Sequence, residues 1–180
     1  MAVAHGAASL CVQGPHAGGH RGTWRQEADP DSTPLADLVS AVVAVVDVPV
    51  VAGGGISDPD GVRLLIERGA VAAQIGTAYL LAEEAGTNAT HRRALEEPRL
   101  TETALTRAYT GRWARGLANR FMADHADAPA GYPHLHHLTS PLRRAAAVAG
   151  DLQVTHLWAG TGHTHARAAA AADLTRSLAP

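Results

Sequence analysis

Three short runs along the chain, SLCVQ (9–13), VPVVA (48–52) and VAAQI (71–75), are almost wholly apolar, and each is followed at once by glycine. Such runs predict strands buried on both faces, as in a parallel sheet. Between the first two, PLADLVSAVVAVVD (34–47) carries leucine and valine at helical spacing, with Ser32 or Thr33 as the expected N-cap and Pro34 as the first helical residue. Between the second and third, SDPDGVRLLIERGA (57–70) puts Val62, Leu65 and Ile66 on one face, opens on Ser57 or Asp58 and closes on Gly69. Two consecutive βαβ units predict an α/β fold, either a barrel or a doubly wound sheet.

Past Ala78 the pattern turns helical. TAYLLAEEAG (77–86), NATHRRALEEP (88–98), TSPLRRAAAVAG (139–150) and HARAAAAADLTRSLA (165–179) read as helices, and LTETALTRAYTG (100–111) as a short extended piece. The expected division is 1–84 as the α/β part and 85–180 as a helical segment. The chain has 180 residues with 46% apolar content, enough for a sizeable core, and a formal charge of −2 without any basic run, which argues against a nucleic-acid partner. A single cysteine, Cys11, makes no internal disulfide and reads as a small buried hydrophobe in a reducing, cytoplasmic protein. No apolar stretch reaches the roughly 20 residues of a membrane helix, and no secretory leader is evident.

Glycine supplies the candidate chemistry. VVAGGGISD (50–58) sets three glycines between a strand and a helix start, where backbone N–H groups and the helix dipole favour an anion. AAQIGTAYL (72–80) repeats the arrangement, with Thr77 as a hydroxyl donor or helix cap. Two adjacent loops of this form match the phosphate site after the last two strands of (β/α)₈ barrels, so 48–52 and 71–75 become strands seven and eight, and 9–13 strand six. The loop CVQGPHAGGHRG (11–22) then lies at the same face, with Gly18 and Gly19 letting the backbone approach a flat ligand and His20 placed above it to accept a proton. HLHH (134–137) and HTH (163–165) have metal-like spacing but no cysteine or carboxylate partners, so no metal is expected. Trp113 and Trp158 read as core anchors, and Arg112 and Arg115 as a solvated helix end or an anion contact.

QGPHAGGHRG (13–22), VVAGGGISD (50–58) and QIGTAYL (74–80), with GRWARGLANRF (111–121), YPHLHHLTSPLRRAAAVAG (132–150) and LWAGTG (157–162), resemble the FMN-dependent nitronate monooxygenases over essentially the whole chain. The resemblance implies the C-terminal part of a TIM-like barrel, about strands six to eight, followed by a helical segment. It implies FMN as cofactor, alkyl nitronate or nitroalkane and O₂ as substrates, and His20 as catalytic base. Gln13 and Gly18 would contact the flavin, Gly54 and Gly55 its phosphate, and Gln74, Ile75, Gly76 and Thr77 the rest of the phosphate site. His16 stands where the family usually has an acidic residue, and Thr161 where it often has glutamine. The family's first five strands have no counterpart, and three strands cannot close a barrel, so a truncated chain inactive on its own is expected. The flavin-dependent enoyl-acyl-carrier-protein reductases, with loops of similar AGGH and GGI character, give a second reading, and a non-catalytic remnant a third.

Overall fold

The computed structural model describes residues 1–180 as an α/β protein with two three-stranded sheets. The first is parallel. Strands β1 (Leu10–Gln13), β3 (Val50–Gly53) and β4 (Ala72–Gln74) lie in the order β1-β3-β4, with Leu10 opposite Val50 and Val51 opposite Ala72. Helices α1 (Leu35–Val43) and α2 (Pro59–Glu67) cover one face, and Val12, Leu35, Val39, Val50, Ala52, Leu65 and Ala70 form the core between them. Asp58 caps α2 by accepting from the Gly61 amide at 2.7 Å, a contact that stabilises a helix by about 1 kcal/mol. Gly69 ends it at φ +96°, where a Cβ would also sit 2.9 Å from Val43.

The other face of this sheet is open, contrary to the expectation of strands buried on both sides. Side chains alternate along a strand, so Val12 goes to the core while Cys11 is exposed; Ala72 and Gln74 are exposed on β4. Cys11 is therefore not a core residue.

The second sheet is antiparallel, in the order β2 (Gly19–His20), β6 (Ala114–Leu117), β5 (Thr103–Thr106), with His20 opposite Ala114 and Thr103 opposite Leu117. The extended reading of 100–111 contains the whole of β5, whereas β2 and β6 have no counterpart among the expected strands, and the region after residue 85 is not purely helical. Helix α3 (Ala89–Glu96), the short α4 (Arg120–Asp124) and α5 (His134–Ala149) belong to this half, with a small core of Ala94, Leu117, Leu157 and Ala159, while α6 (Ala171–Leu178) returns to pack against α2 and the turn at Thr77–Tyr79. No helix is long and apolar enough to cross a membrane.

Several helix boundaries differ from expectation for local reasons. Asp31 accepts both the amide and the hydroxyl hydrogen of Thr33, so Thr33 is unavailable as a cap and Pro34 occupies the N-cap position of α1. The run 77–86 makes only a 3₁₀ turn at Thr77–Tyr79, because Arg92 takes the carbonyls of Leu81, Ala82 and Ala85. Helix α5 begins five residues early and includes HLHH, so those histidines are helical rather than in a loop. Helix α6 starts late, where the Glu84 carboxylate accepts from the Ala171 amide at 2.9 Å; Ala168 to Ala170 lie outside it.

Candidate functional site

A cleft of about 410 Å³ opens above the free face of the parallel sheet, floored by the loops that follow its three strands. Gln13, Gly18, Gly54, Gly55, Gln74, Ile75, Gly76 and Thr77 all line it. Gly54 (φ +125°) and Gly55 (φ +75°) adopt backbone conformations that side chains disfavour, and Cβ atoms there would meet Ala17 at 2.9 Å and His16 at 2.6 Å. Gly76 is different: its φ is −115°, and a Cβ would meet nothing within 4 Å. Neither backbone nor packing demands glycine there, and a side chain would project into open space in the cleft wall. The amide N–H groups of Gly54, Gly55, Gly76 and Thr77 donate to no group of the protein. At the start of α2 the expected N-cap Asp58 takes one amide, that of Gly61.

Thr77 does not cap a helix. Its Oγ1 accepts from the Gly160 amide at 3.0 Å, which leaves its own O–H free and ties the 157–162 loop to the cleft. Gln74 Oε1 accepts from the Cys11 thiol at 2.8 Å. Gly18 is glycine for a reason other than ligand approach, since a Cβ would sit 2.6 Å from the Gly160 nitrogen. Gly19 (φ +75°) has open space around it.

His20, on β2, does not itself line the cleft; it adjoins it through its chain neighbour Gly19 and through Trp158, both of which do. Gln13 braces its loop with both ends of its amide: Nε2 donates to the His20 carbonyl at 2.8 Å, and Oε1 accepts from the Gly22 amide at 2.9 Å. The imidazole Nε2 lies 2.9 Å from Thr110 Oγ1, and the ring packs beside Trp158 and Tyr132, with centroids 5.6 and 6.1 Å away. His20 stays exposed on its remaining side. Loss of water on the crowded side, and then the charge of Arg112, hold its pKa below the usual 6.5.

The loop is strapped to the second sheet by guanidinium groups bound to carbonyls. Arg112 donates to the carbonyls of Arg21 and Thr23, both at 3.1 Å, Arg115 to that of Pro15 at 3.2 Å, and buried Arg21 to that of Gly14 at 2.5 Å. Arg112 is thus neither in a helix nor a free surface charge. No three of the chain's histidine, cysteine and carboxylate side chains gather as a metal site.

The sequence profile of the nitronate monooxygenases matches residues 1–180. The chain belongs to the nitronate monooxygenase family. It is 42% identical to a nitronate monooxygenase of Pseudomonas aeruginosa over 99% of its own length and 52% of that protein. To a probable nitronate monooxygenase of Staphylococcus aureus it is 38% identical, over 84% of this chain and 44% of the other. Among solved structures, nitroalkane oxidase from Streptomyces ansochromogenes superposes with a TM-score of 0.90 at 48% identity, covering 98% of this chain and 52% of that one. FabK from Thermotoga maritima gives 0.79 at 23% identity over 99% of this chain and 55% of the other, a likeness of fold alone. The chain spans about half the length of the curated relatives it matches.

In this member of the nitronate monooxygenase family, the sequence pattern did not mark Trp158, Gly160 and Gly162 as cleft wall, nor Thr110 as a neighbour of His20. Trp158, taken for a core anchor, is half-buried in the cleft wall beside His20, and Trp113 lies under the Arg107 guanidinium at 4.4 Å. Gly160 and Gly162 complete the wall, and Thr110 touches the histidine. The glycines of WAGTG were a visible signal; Thr110 gave none, because its contact spans 90 positions.

Proposed function

We propose that the cleft binds FMN and serves the oxidation of alkyl nitronates by O₂, with the chain forming about strands six to eight of a (β/α)₈ barrel. The observation that carries this reading is the set of four amides, on Gly54, Gly55, Gly76 and Thr77, that line one cleft without an acceptor in the protein. A phosphate supplies oxygens to all four, and the space left beside Gly76 accommodates it. Gln13, Gly18, Gln74 and Ile75 border the remainder of the flavin. Residues 1–84 thus hold the cofactor and 85–180 cover it, in a protein of the reducing cytoplasm.

FMN, when bound, supplies the electron chemistry between nitronate and O₂. The chain supplies the proton chemistry. With a neutral nitroalkane, His20 takes the proton from the carbon bearing the nitro group, and the C–H electron pair moves into the nitro group to give the nitronate. A pKa below 6.5 keeps the imidazole neutral near pH 7 and ready to accept. Arg112, beside it, adds positive charge where the anion forms.

Two preparations test this reading: the 180-residue chain, and the same chain joined to the part of the Pseudomonas relative that it does not cover. FMN should bind at least about tenfold more tightly than riboflavin, the equivalent of one charge-assisted hydrogen bond, and O₂ uptake should depend on added nitronate. Equal affinities overturn the phosphate site. NAD(P)H oxidation with an enoyl thioester, in place of nitronate-dependent uptake, transfers the assignment to the enoyl-reductase reading.

A further inference from the structure

Thr110 is one of the most deeply buried polar residues, 2% exposed, in the turn that leads into β6. Its hydroxyl faces three groups: His20 Nε2 at 2.9 Å, the Arg112 carbonyl at 3.2 Å and the Arg112 amide at 3.3 Å. A threonine hydroxyl has one hydrogen to give and two lone pairs. The Arg112 carbonyl can only accept, and no other donor in the protein reaches it, so the hydroxyl hydrogen goes there. The Arg112 amide takes one lone pair. The other is matched only if Nε2 of His20 carries a hydrogen.

We propose that Thr110 is the positioning residue that fixes His20 as its Nε2–H tautomer, so that Nδ1 is the atom that takes the substrate's proton. The inference rests on the reading of His20 as base. A neutral imidazole has one N–H, so placing it on Nε2 leaves the lone pair on Nδ1, which has no hydrogen-bond partner in the protein. Proton transfer then breaks the substrate C–H bond, forms Nδ1–H and leaves the electron pair on the nitronate. The Nε2–H bond to Thr110 persists in the resulting imidazolium, so the ring need not turn between the two states. The backbone at His20 is braced as well, its carbonyl accepting from Gln13 Nε2, and Trp158 and Tyr132 flank the ring.

The test reads the tautomer directly, without requiring turnover. In long-range proton–nitrogen correlation spectra of the chain with ¹⁵N-histidine, the His20 signals are those lost in His20→Asn. The expected pattern is a protonated-type Nε2 and an unprotonated-type Nδ1 in the wild type and in Thr110→Ser. Thr110→Val, which keeps the shape and removes the hydroxyl, should bring in the Nδ1–H form. It should also lower kcat for a neutral nitroalkane by roughly tenfold, leaving KM and nitronate turnover nearly unchanged. A wild-type spectrum showing Nδ1–H overturns the proposal even if Thr110→Val does not fold, and so does a folded Thr110→Val with the wild-type pattern. If the tautomer is as inferred but His20→Asn retains full nitroalkane turnover, the base reading fails, and the role of Nδ1 with it.

Discussion

The two sheets are held together by different forces. In the parallel sheet, β1, β3 and β4 rest on α1 and α2 through aliphatic contacts alone, and Val39 and Ala52 are wholly buried. In the antiparallel sheet, β2 pairs with a strand more than ninety residues away, and the contact is secured by arginines donating to carbonyls: Arg112 to Arg21 and Thr23, Arg107 to Gln26 and Glu27. None of these guanidinium groups is paired with a carboxylate, since the chain's ion pairs all lie elsewhere. Their charge is therefore matched by carbonyl oxygens and not by a carboxylate, and none of these arginines lines the cleft. The two sheets divide the labour: the parallel one presents amides by local strand-to-turn geometry, and the antiparallel one holds the imidazole of the loop after β1 with partners from a distant part of the chain, Ala114 and Thr110.

The sharpest way to separate the two contributions is His20→Asn. It should leave the FMN preference over riboflavin intact while reducing turnover of neutral nitroalkanes by about 10²–10⁴, with far less effect on preformed nitronates, which need no proton removed. Oxygen uptake with both substrate forms measures this, and equal losses for both would assign the imidazole to orientation instead. The pH profile adds a signed check. Nitroalkane turnover should fall as pH drops through the His20 pKa, below 6.5, because the imidazolium cannot accept a proton. Arg112→Met removes one of the influences that lower that pKa, so the acid limb should move to higher pH.

On the other side of the comparison, Leu65→Ala removes a side chain 3% exposed from the core under the parallel sheet. The expected cost is about 2–5 kcal/mol, read as a lower urea midpoint with an unchanged slope. A loss well below that range would mean that the aliphatic layer is not what holds the glycine loops in register.

The same contrast explains what could be read from the chain. The parallel sheet was legible because strand, glycine and helix follow one another within about 30 residues, and each carries its own periodicity. Strand β2 is two residues long and has no pattern at all; it exists because Ala114 lies opposite His20. Strand β6, ARGL, carries one arginine and one glycine in four residues, and Gly116 is required because a Cβ would lie 2.7 Å from the Leu157 carbonyl oxygen. Such constraints come from tertiary neighbours and leave little periodic trace. Cys11 and Trp158 were misplaced for one shared reason: an apolar side chain beside a cleft has the same sequence signature as one in a core.

Behind the antiparallel sheet, His156 provides a pH-dependent test of that half. Its Nδ1 is buried without a partner, and the ring packs against Tyr109 and Trp158. Burial, then Arg143, then His91, His136 and His20 push its pKa down to about 4 from 6.5. Between those two values the unfolded chain binds a proton that the folded chain does not. Stability should therefore fall as pH drops from about 6.5 toward 4 and level off below, by at most about 3 kcal/mol from this group. Urea unfolding at pH 7 and pH 4.5 measures the fall, and His156→Phe should reduce it; an unchanged pH dependence in that variant would place the titration elsewhere.

The smallest expected effect isolates the amides. Substituting Gly55 would confuse anion binding with strain, because its φ is +75° and a Cβ would sit 2.6 Å from His16. Gly76 allows a cleaner experiment, since its φ of −115° is open to any residue and a Cβ there meets nothing within 4 Å. Gly76→Asp should fold with near-native stability and place a carboxylate in the cleft that the four residues with free amides line. That carboxylate can accept from the amides itself and repels a phosphate, so FMN should lose roughly tenfold or more in affinity while riboflavin, which lacks the phosphate, changes little. Gly76→Ala, which adds a methyl group without charge, should fall between wild type and Gly76→Asp for FMN. Flavin fluorescence titrations with both ligands give the ratio directly. If Gly76→Asp weakens riboflavin as much as FMN, the open space beside Gly76 receives the ring system and the phosphate lies outside the reach of these amides.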